Sequence, residues 1–205
     1  MTEKSRANHL VTNNRRTNSE KNDFYATEPR AVQDLLNVEK FDEIIWECAV
    51  GKGHIADVFK ENGYKVVSSD LIDRGYTDTE VKSFLDYTEN KYDIVTNPPF
   101  RLAQKFLEHA QEISEDGVRI AFFLKLTWLE GKARGKMFKK YPPKYVYVFS
   151  SRRSCAKNGN FDGLESSAVA YCWFIWEVGN KTEPIIRWID WIFMHGDLNI
   201  YTKEV

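Results

Sequence analysis

The tetrapeptide Asn97-Pro98-Pro99-Phe100 stands directly behind Tyr92-Asp93-Ile94-Val95-Thr96, a short run of the kind that forms a buried strand. Two consecutive prolines stop a strand and fix the backbone that follows, so the Asn97 side chain and the carbonyl of Pro98 are held at a strand tip. An amide oxygen beside a rigid carbonyl offers two acceptors that converge on one planar amino group. Phe100 adds a flat surface on which a base or an amide stacks. The tetrapeptide alone leaves an ordinary proline turn open as the alternative.

A second constellation is Glu47-Cys48-Ala49-Val50-Gly51-Lys52-Gly53-His54, between the strand-like run Glu43–Glu47 and a helix-like run from His54 to Asn62. Glycines there let backbone amides come close to a ligand, and the helix start favours negative charge. Asp70 ends the next strand-like run, at a distance suited to gripping a pair of ribose hydroxyls. Gly51, Gly53 and Ala56 also satisfy the GxGxxA form of the dinucleotide fingerprint, so on these residues a dinucleotide, another nucleoside ligand and an empty tight turn all stay open. A third segment, Asp23-Phe24-Tyr25-Ala26-Thr27-Glu28-Pro29, is by itself a helix start, with Pro29 at its first turn and Val32, Leu35 and Leu36 as the apolar face.

The elements that must position these residues alternate. Strands are expected at Glu43–Glu47, Tyr64–Ser69, Tyr92–Thr96, Val118–Leu124, Tyr145–Phe149 and Ser167–Trp176, with one more strand or a packing segment at Ile185–Phe193. Between them lie helical patterns at His54–Asn62, around Leu102–Ala110 and at Lys132–Lys140. Alternation of this type predicts an α/β fold with a mostly parallel sheet. Residues 1–22 are polar and basic and are expected to form a flexible arm, leaving 23–205 as one catalytic domain.

In order and spacing, the three constellations resemble the amino-methyltransferases that use S-adenosylmethionine, and most nearly the short, phage-type DNA adenine-N6 methyltransferases. Asp23–Pro29 resembles their N-terminal element at the methionine end of the cofactor, Glu47–Gly53 their acidic-x-A-x-G-x-G motif, Asp70 their ribose-binding acid, and Asn97–Phe100 their catalytic D/N/S-PP-Y/F motif. The match extends from Asp23 to Trp176. It departs at Ser83-Phe84-Leu85, where the family usually has an acid before Phe-Leu, and at Thr27-Glu28-Pro29, where Thr-Pro-Pro is common.

The resemblance implies a Rossmann-like methyltransferase fold with helices on both faces of the sheet and an antiparallel strand near the C-terminus. It implies Asn97, Pro98, Pro99 and Phe100 as catalytic residues. Tyr25, Thr27, Glu47, Ala49, Gly51, Gly53, Asp70 and Phe84 would hold S-adenosylmethionine, and no metal is needed. The implied reaction is methylation of the adenine N6 amino group in DNA, with the base flipped out of the duplex. Methylation of RNA bases or of a protein glutamine, and a degenerate protein that binds nucleic acid without turnover, are the alternatives.

Charge bears on the substrate. The chain carries a formal net charge of −1, yet Gly117–Asn160 holds eleven basic residues against one acid, Glu130, which leaves −11 for the rest. Such a stretch is either a solvated face or a polyanion-facing surface. At its end the polar run 150–163 is expected to be a minimal recognition loop, with Arg152, Arg153, Lys157 and Asn160 contacting DNA. Trp173, Trp176, Trp188 and Trp191 are expected to pack in the core or on an edge strand, and Trp128 to border a pocket. Three cysteines without a CxxC pair and four scattered histidines argue against a disulfide framework and a metal site. No apolar run reaches the ~20 residues that span a bilayer, so a cytoplasmic protein is expected, in the host cytoplasm if phage-encoded.

Overall fold

A computed structural model of the chain describes residues 24–157, 159–161 and 169–189. The expected N-terminal arm, Asp23, Trp191 and part of the run 150–163 therefore lie outside the described residues.

In chain order the elements are β1 (Tyr25–Thr27), α1 (Pro29–Leu36), β2 (Ile44–Glu47), α2 (His54–Glu61), β3 (Lys65–Asp70), β4 (Thr79–Val81), β5 (Asp93–Thr96), α3 (Ala103–Ile113), β6 (Arg119–Lys125), α4 (Lys132–Lys140), β7 (Tyr145–Phe149), β8 (Cys155–Lys157), β9 (Tyr171–Glu177) and β10 (Ile185–Ile189). Short 3-10 turns lie at Phe84–Asp86 and Leu126–Leu129. Eight strands form one sheet in the order β10-β7-β9-β6-β5-β2-β3-β4. All neighbours are parallel except β9, which runs antiparallel to both β6 and β7.

Helices cover both faces, and the strand sequences show why. Every residue of β5 is buried, as is every one of β9 from Tyr171 to Trp176, as strands covered on two faces require. Alternate side chains of β6 and β9 go to opposite faces. Ile120, Phe122, Leu124, Phe174 and Trp176 pack with Phe106, Leu107 and Ala110 of α3 and with Met137 of α4. Ala121, Phe123, Trp173 and Ile175 pack with Val32 and Leu35 of α1 and with Ile55 and Phe59 of α2. Each fully buried large side chain contributes roughly 1.5–3 kcal/mol relative to exposure. The indole N–H groups of Trp173 and Trp176 donate to the carbonyls of Ala31 and Tyr141, at 2.9 and 3.1 Å, so these rings enter the core without an orphaned donor.

Two expectations are corrected. The polar run 150–163 is not an uninterrupted loop: Cys155–Lys157 forms β8, which pairs antiparallel with β1 as a separate two-stranded sheet. The segment before Pro29 is accordingly a strand, not merely a helix approach. Trp188 lies on the edge strand β10, as expected, and is 53% exposed, because among the described residues β10 has a neighbour only on its β7 side.

Candidate functional site

The strand order reverses between β2 and β5: β3 and β4 lie on one side of β2, and β5 and β6 on the other. In open α/β sheets, ligands bind outside the carboxyl ends of the strands at such a switch point. Both chemically marked turns are there. The glycine turn leaves the end of β2, and Asn97–Phe100 leaves the end of β5.

The glycine turn is built on two buried acids. Glu47, 2% exposed, accepts the Ala56 amide on Oε2 at 2.8 Å. Asp70, 8% exposed, accepts the Gly51 amide on Oδ2 at 2.9 Å and the Ile72 amide on Oδ1 at 3.0 Å. Burial pushes the Glu47 carboxyl well above its ordinary range, and the Ala56 hydrogen bond opposes that only in part. Gly51 and Gly53 have φ of +60° and +86°, the left-handed region that favours glycine. They are also covered: a Cβ on Gly51 would overlap the Phe24 ring, and one on Gly53 the Tyr76 ring. The Tyr76 hydroxyl donates to Asp57 at 2.7 Å, and the Arg74 guanidinium lies 5.2 Å from the Phe24 ring centre. Two buried polar atoms close to the turn, Thr27 Oγ1 and His54 Nδ1, have no hydrogen-bond partner among the described residues. Burial also lowers the His54 pKa, which favours the neutral imidazole.

Asn97 is half-buried. Its Nδ2 donates to the main-chain carbonyl of Tyr25 at 2.8 Å and lies 3.6 Å from Cys155 Sγ. Since β1 supplies the carbonyl and β8 the thiol, the β1–β8 pair sets which way round the Asn97 amide sits, and Oδ1 is its remaining acceptor. The Cys155 thiol is pushed up to about 12 by burial, so it stays neutral beside the amide. The Phe100 ring has Tyr25 at 5.8 Å and Tyr171 at 6.2 Å between ring centres, with Lys125 Nζ 4.8 Å from its own centre. Next to Phe100 is a cavity of about 180 Å³ lined by Phe100, Leu124, Lys125, Thr127, Trp128 and Arg134.

The structure thus gathers Tyr25, Thr27, Glu47, Ala49, Gly51, Gly53, Asp70 and Asn97–Phe100 around the ends of β1, β2, β3 and β5. Two expected site residues are buried. The Phe84 ring, just past the carboxyl end of β4, is 2% exposed and packs edge-on against Trp46 and His109. Ser83, in the position of the missing acid, accepts the Leu85 amide at 3.3 Å and caps the 3-10 turn. Arg153 is 5% exposed and ion-paired to Asp34 of α1 at 2.7 Å, so its guanidinium fastens the segment to α1 and does not face a partner. Arg152, Lys157 and Asn160 are exposed, as a contact surface requires.

Residue types alone did not mark Tyr76, Cys155, Lys125 or Arg134 as site residues. Lys125 and Trp128 do carry a signal, since both lie at or just past the end of the central strand β6, where sites in this fold collect. No group of three or more metal-ligating side chains occurs among the described residues, and no described helix is long and apolar enough to cross a membrane.

No protein-family model and no curated protein sequence matches the chain. Solved structures do share its fold. One, from Pyrococcus horikoshii and provisionally described as an RNA methyltransferase, is 14% identical with a TM-score of 0.55, over 85% of this chain and 98% of that one. Another is a modification subunit of a provisionally assigned type I restriction enzyme from Vibrio vulnificus, 13% identical with a TM-score of 0.55; the match covers 90% of this chain but about half, 51%, of that one. A third is an S-adenosylmethionine-dependent O-methyltransferase from Thermotoga maritima, 16% identical with a TM-score of 0.50, over 84% and 71% of the two chains. The fold is that of the Rossmann-like methyltransferases. At these identities the likeness is one of fold, and function has to be argued from the site.

Proposed function

We propose that the chain transfers a methyl group from S-adenosylmethionine to the N6 amino group of adenine in DNA. The observation that carries this reading is the Asn97 amide, oriented through Nδ2 by the Tyr25 carbonyl so that Oδ1 is left to accept, at the strand end next to the glycine turn. The residues present fit the cofactor. Asp70 accepts one amide on each oxygen and keeps lone pairs for a ribose diol. Thr27 Oγ1 and His54 Nδ1 are buried polar atoms that still need partners. Tyr25, Glu47, Ala49, Gly51 and Gly53 would complete the cradle. When bound, S-adenosylmethionine supplies an electrophilic methyl group on a sulfonium.

An aromatic amino group is a poor nucleophile because its lone pair is delocalised into the ring. Asn97 Oδ1 and the Pro98 carbonyl accept its two N–H bonds and draw the nitrogen toward a tetrahedral shape, which frees the lone pair. Pro99 keeps the turn rigid, and Phe100 stacks against the base. As the nitrogen gains the methyl it loses one proton to water, and no covalent bond to the protein forms. Catalysis is then positioning and preorganised polarity. Arg152, Lys157 and Asn160, with the basic arm 1–22, serve as DNA contacts in this reading, and residues 23–205 form one catalytic domain in a cytoplasmic setting.

Labelled S-adenosylmethionine offered separately with unmethylated DNA, RNA and protein extract, followed by digestion, tests the reading. N6-methyladenine in DNA is the expected product. Label confined to RNA or to protein moves the substrate, and no label anywhere removes the activity.

A further inference from the structure

One strand beyond the Asn97 turn, on the side of it opposite to the glycine turn, the end of β6 opens into the 180 Å³ cavity described above. Its lining pairs two rings with two cations. Lys125 lies over Phe100, and the Arg134 guanidinium is 5.9 Å from the Trp128 ring centre. Among the described residues neither cation forms an ion pair with a carboxylate. Arg134 donates one long hydrogen bond, 3.5 Å, to the Thr127 carbonyl, while its Nε is buried without a partner. Both cations are partly exposed and held over aromatic faces that attract them, so an anion entering the cavity would meet two positive groups already in place.

Size and surroundings narrow the ligand. The cavity is smaller than the ~300 Å³ at which small-molecule pockets begin, so it takes one compact group and not a second cofactor. Arg134 belongs to α4, whose exposed Lys132, Lys136, Lys139 and Lys140 continue the positive charge away from the cavity. A polynucleotide presents an anion at every residue, one backbone step from any base held by Asn97 and Phe100. A glutamine side chain on a protein presents none.

We propose that this cavity is a subsite for a backbone phosphate of the substrate strand adjoining the target nucleotide, with Lys125 and Arg134 as its cations and Thr127 and Trp128 as its wall. The proposal rests on the nucleic-acid reading of the previous section and goes beyond it, because it assigns strand binding to the end of β6 in addition to the segment around β8.

The full chain and its K125Q, R134Q and doubly substituted forms are titrated with a short adenine-containing DNA oligonucleotide, single-stranded and duplex, across a range of NaCl. Steady-state methyl transfer and S-adenosylmethionine binding are measured in parallel. Each single substitution is expected to raise the KM for DNA roughly tenfold, the loss of one charge-assisted hydrogen bond, with kcat and cofactor affinity nearly unchanged. The double form should lower the slope of log affinity against log salt by about 1. K125R and R134K, which keep the charge, should restore the slope; a general packing defect would not follow charge in this way. If the wild type methylates the oligonucleotide and the double form keeps its slope and KM, the subsite is wrong while the reading stands. If the wild type binds no oligonucleotide and labels only protein, both fall.

Discussion

Asn97 owes its orientation to a main-chain carbonyl 72 residues earlier in the chain, and that dependence decides what its substitution would do. Asn97→Ala removes the acceptor and leaves Glu47, Asp70 and the glycine turn intact. Methyl transfer should fall by at least 10²–10³-fold, as for loss of one preorganised transition-state partner, while calorimetry still shows cofactor binding. Glu47 gives a prediction of another kind. Its folded pKa is raised above the ordinary 4.5, so the folded state holds a proton that the unfolded state has released, and stability falls as pH rises from about 4.5 through the folded value. Gln keeps an acceptor for the Ala56 amide and cannot ionise. The difference in Tm between Glu47→Gln and the wild type, without cofactor, should therefore grow in favour of the variant as pH increases over that window; a pH-independent difference would refute the assignment. Both residues were legible in the sequence, because strand ends and glycine turns mark such positions. The inward turn of Arg153 was not legible, because residue type tells what a side chain can do, not whether it faces outward. The Arg153 side chain is turned inward by Asp34, which sits on the buried face of α1 with no local pattern to announce it.

Among the elements, the β1–β8 pair bears most directly on the site. It rests on register, Tyr25 opposite Lys157 and Thr27 opposite Cys155. It is fastened at its edge by the Ser154 amide on Glu28 Oε2 at 3.0 Å and by the Arg153–Asp34 pair. Arg153→Ala leaves the Asp34 carboxylate buried alone, and urea unfolding should show a loss of about 3–5 kcal/mol. Replacing both partners with apolar residues of similar size should recover most of it. An Arg153→Ala loss that the double replacement leaves uncorrected would mean the pair is not the fastening. The long elements were legible. Tyr145–Phe149 and Lys132–Lys140 were expected with the bounds observed, and His54–Asn62 differs by one residue. The three-residue strands β1, β4 and β8 were not. Three residues carry no period, and a strand that short exists only because its partner is beside it.

For the molecule as a whole, the proposed cofactor would join parts distant in sequence, at the ends of β1, β2, β3 and β5. A ligand that bridges them stabilises the fold by mass action. S-adenosylmethionine at 100 times its Kd should raise stability by about 2.7 kcal/mol, seen as a rise in Tm, whereas a nicotinamide dinucleotide should cause no shift. The reverse result would return the Gly51–Ala56 turn to its dinucleotide reading. The α/β class was legible at this scale because the alternation of strand and helix patterns runs through the chain. The polarity of charge was visible as well, since Gly117–Asn160 is basic within a nearly neutral whole. The division of that charge was not: Arg153 went to internal fastening, while Lys125 and Arg134 went to a cavity beside Phe100.

The reversed strand β9 carries a consequence for the order of synthesis. It fills the slot between β6 and β7, pairing Arg119–Lys125 with Tyr171–Glu177 residue by residue, and among the described residues no other strand joins those two neighbours. On the ribosome, β6 and β7 are both made before it. Until Tyr171–Glu177 emerges, the nascent chain has an open sheet edge at β6, with Phe122 and Phe123 on either face of it, and β7 has nothing to pair with on that side. Closure is a late, long-range event, so a chain arrested before Tyr171 should be captured by chaperones or aggregate, whereas one arrested well past Glu177 should not.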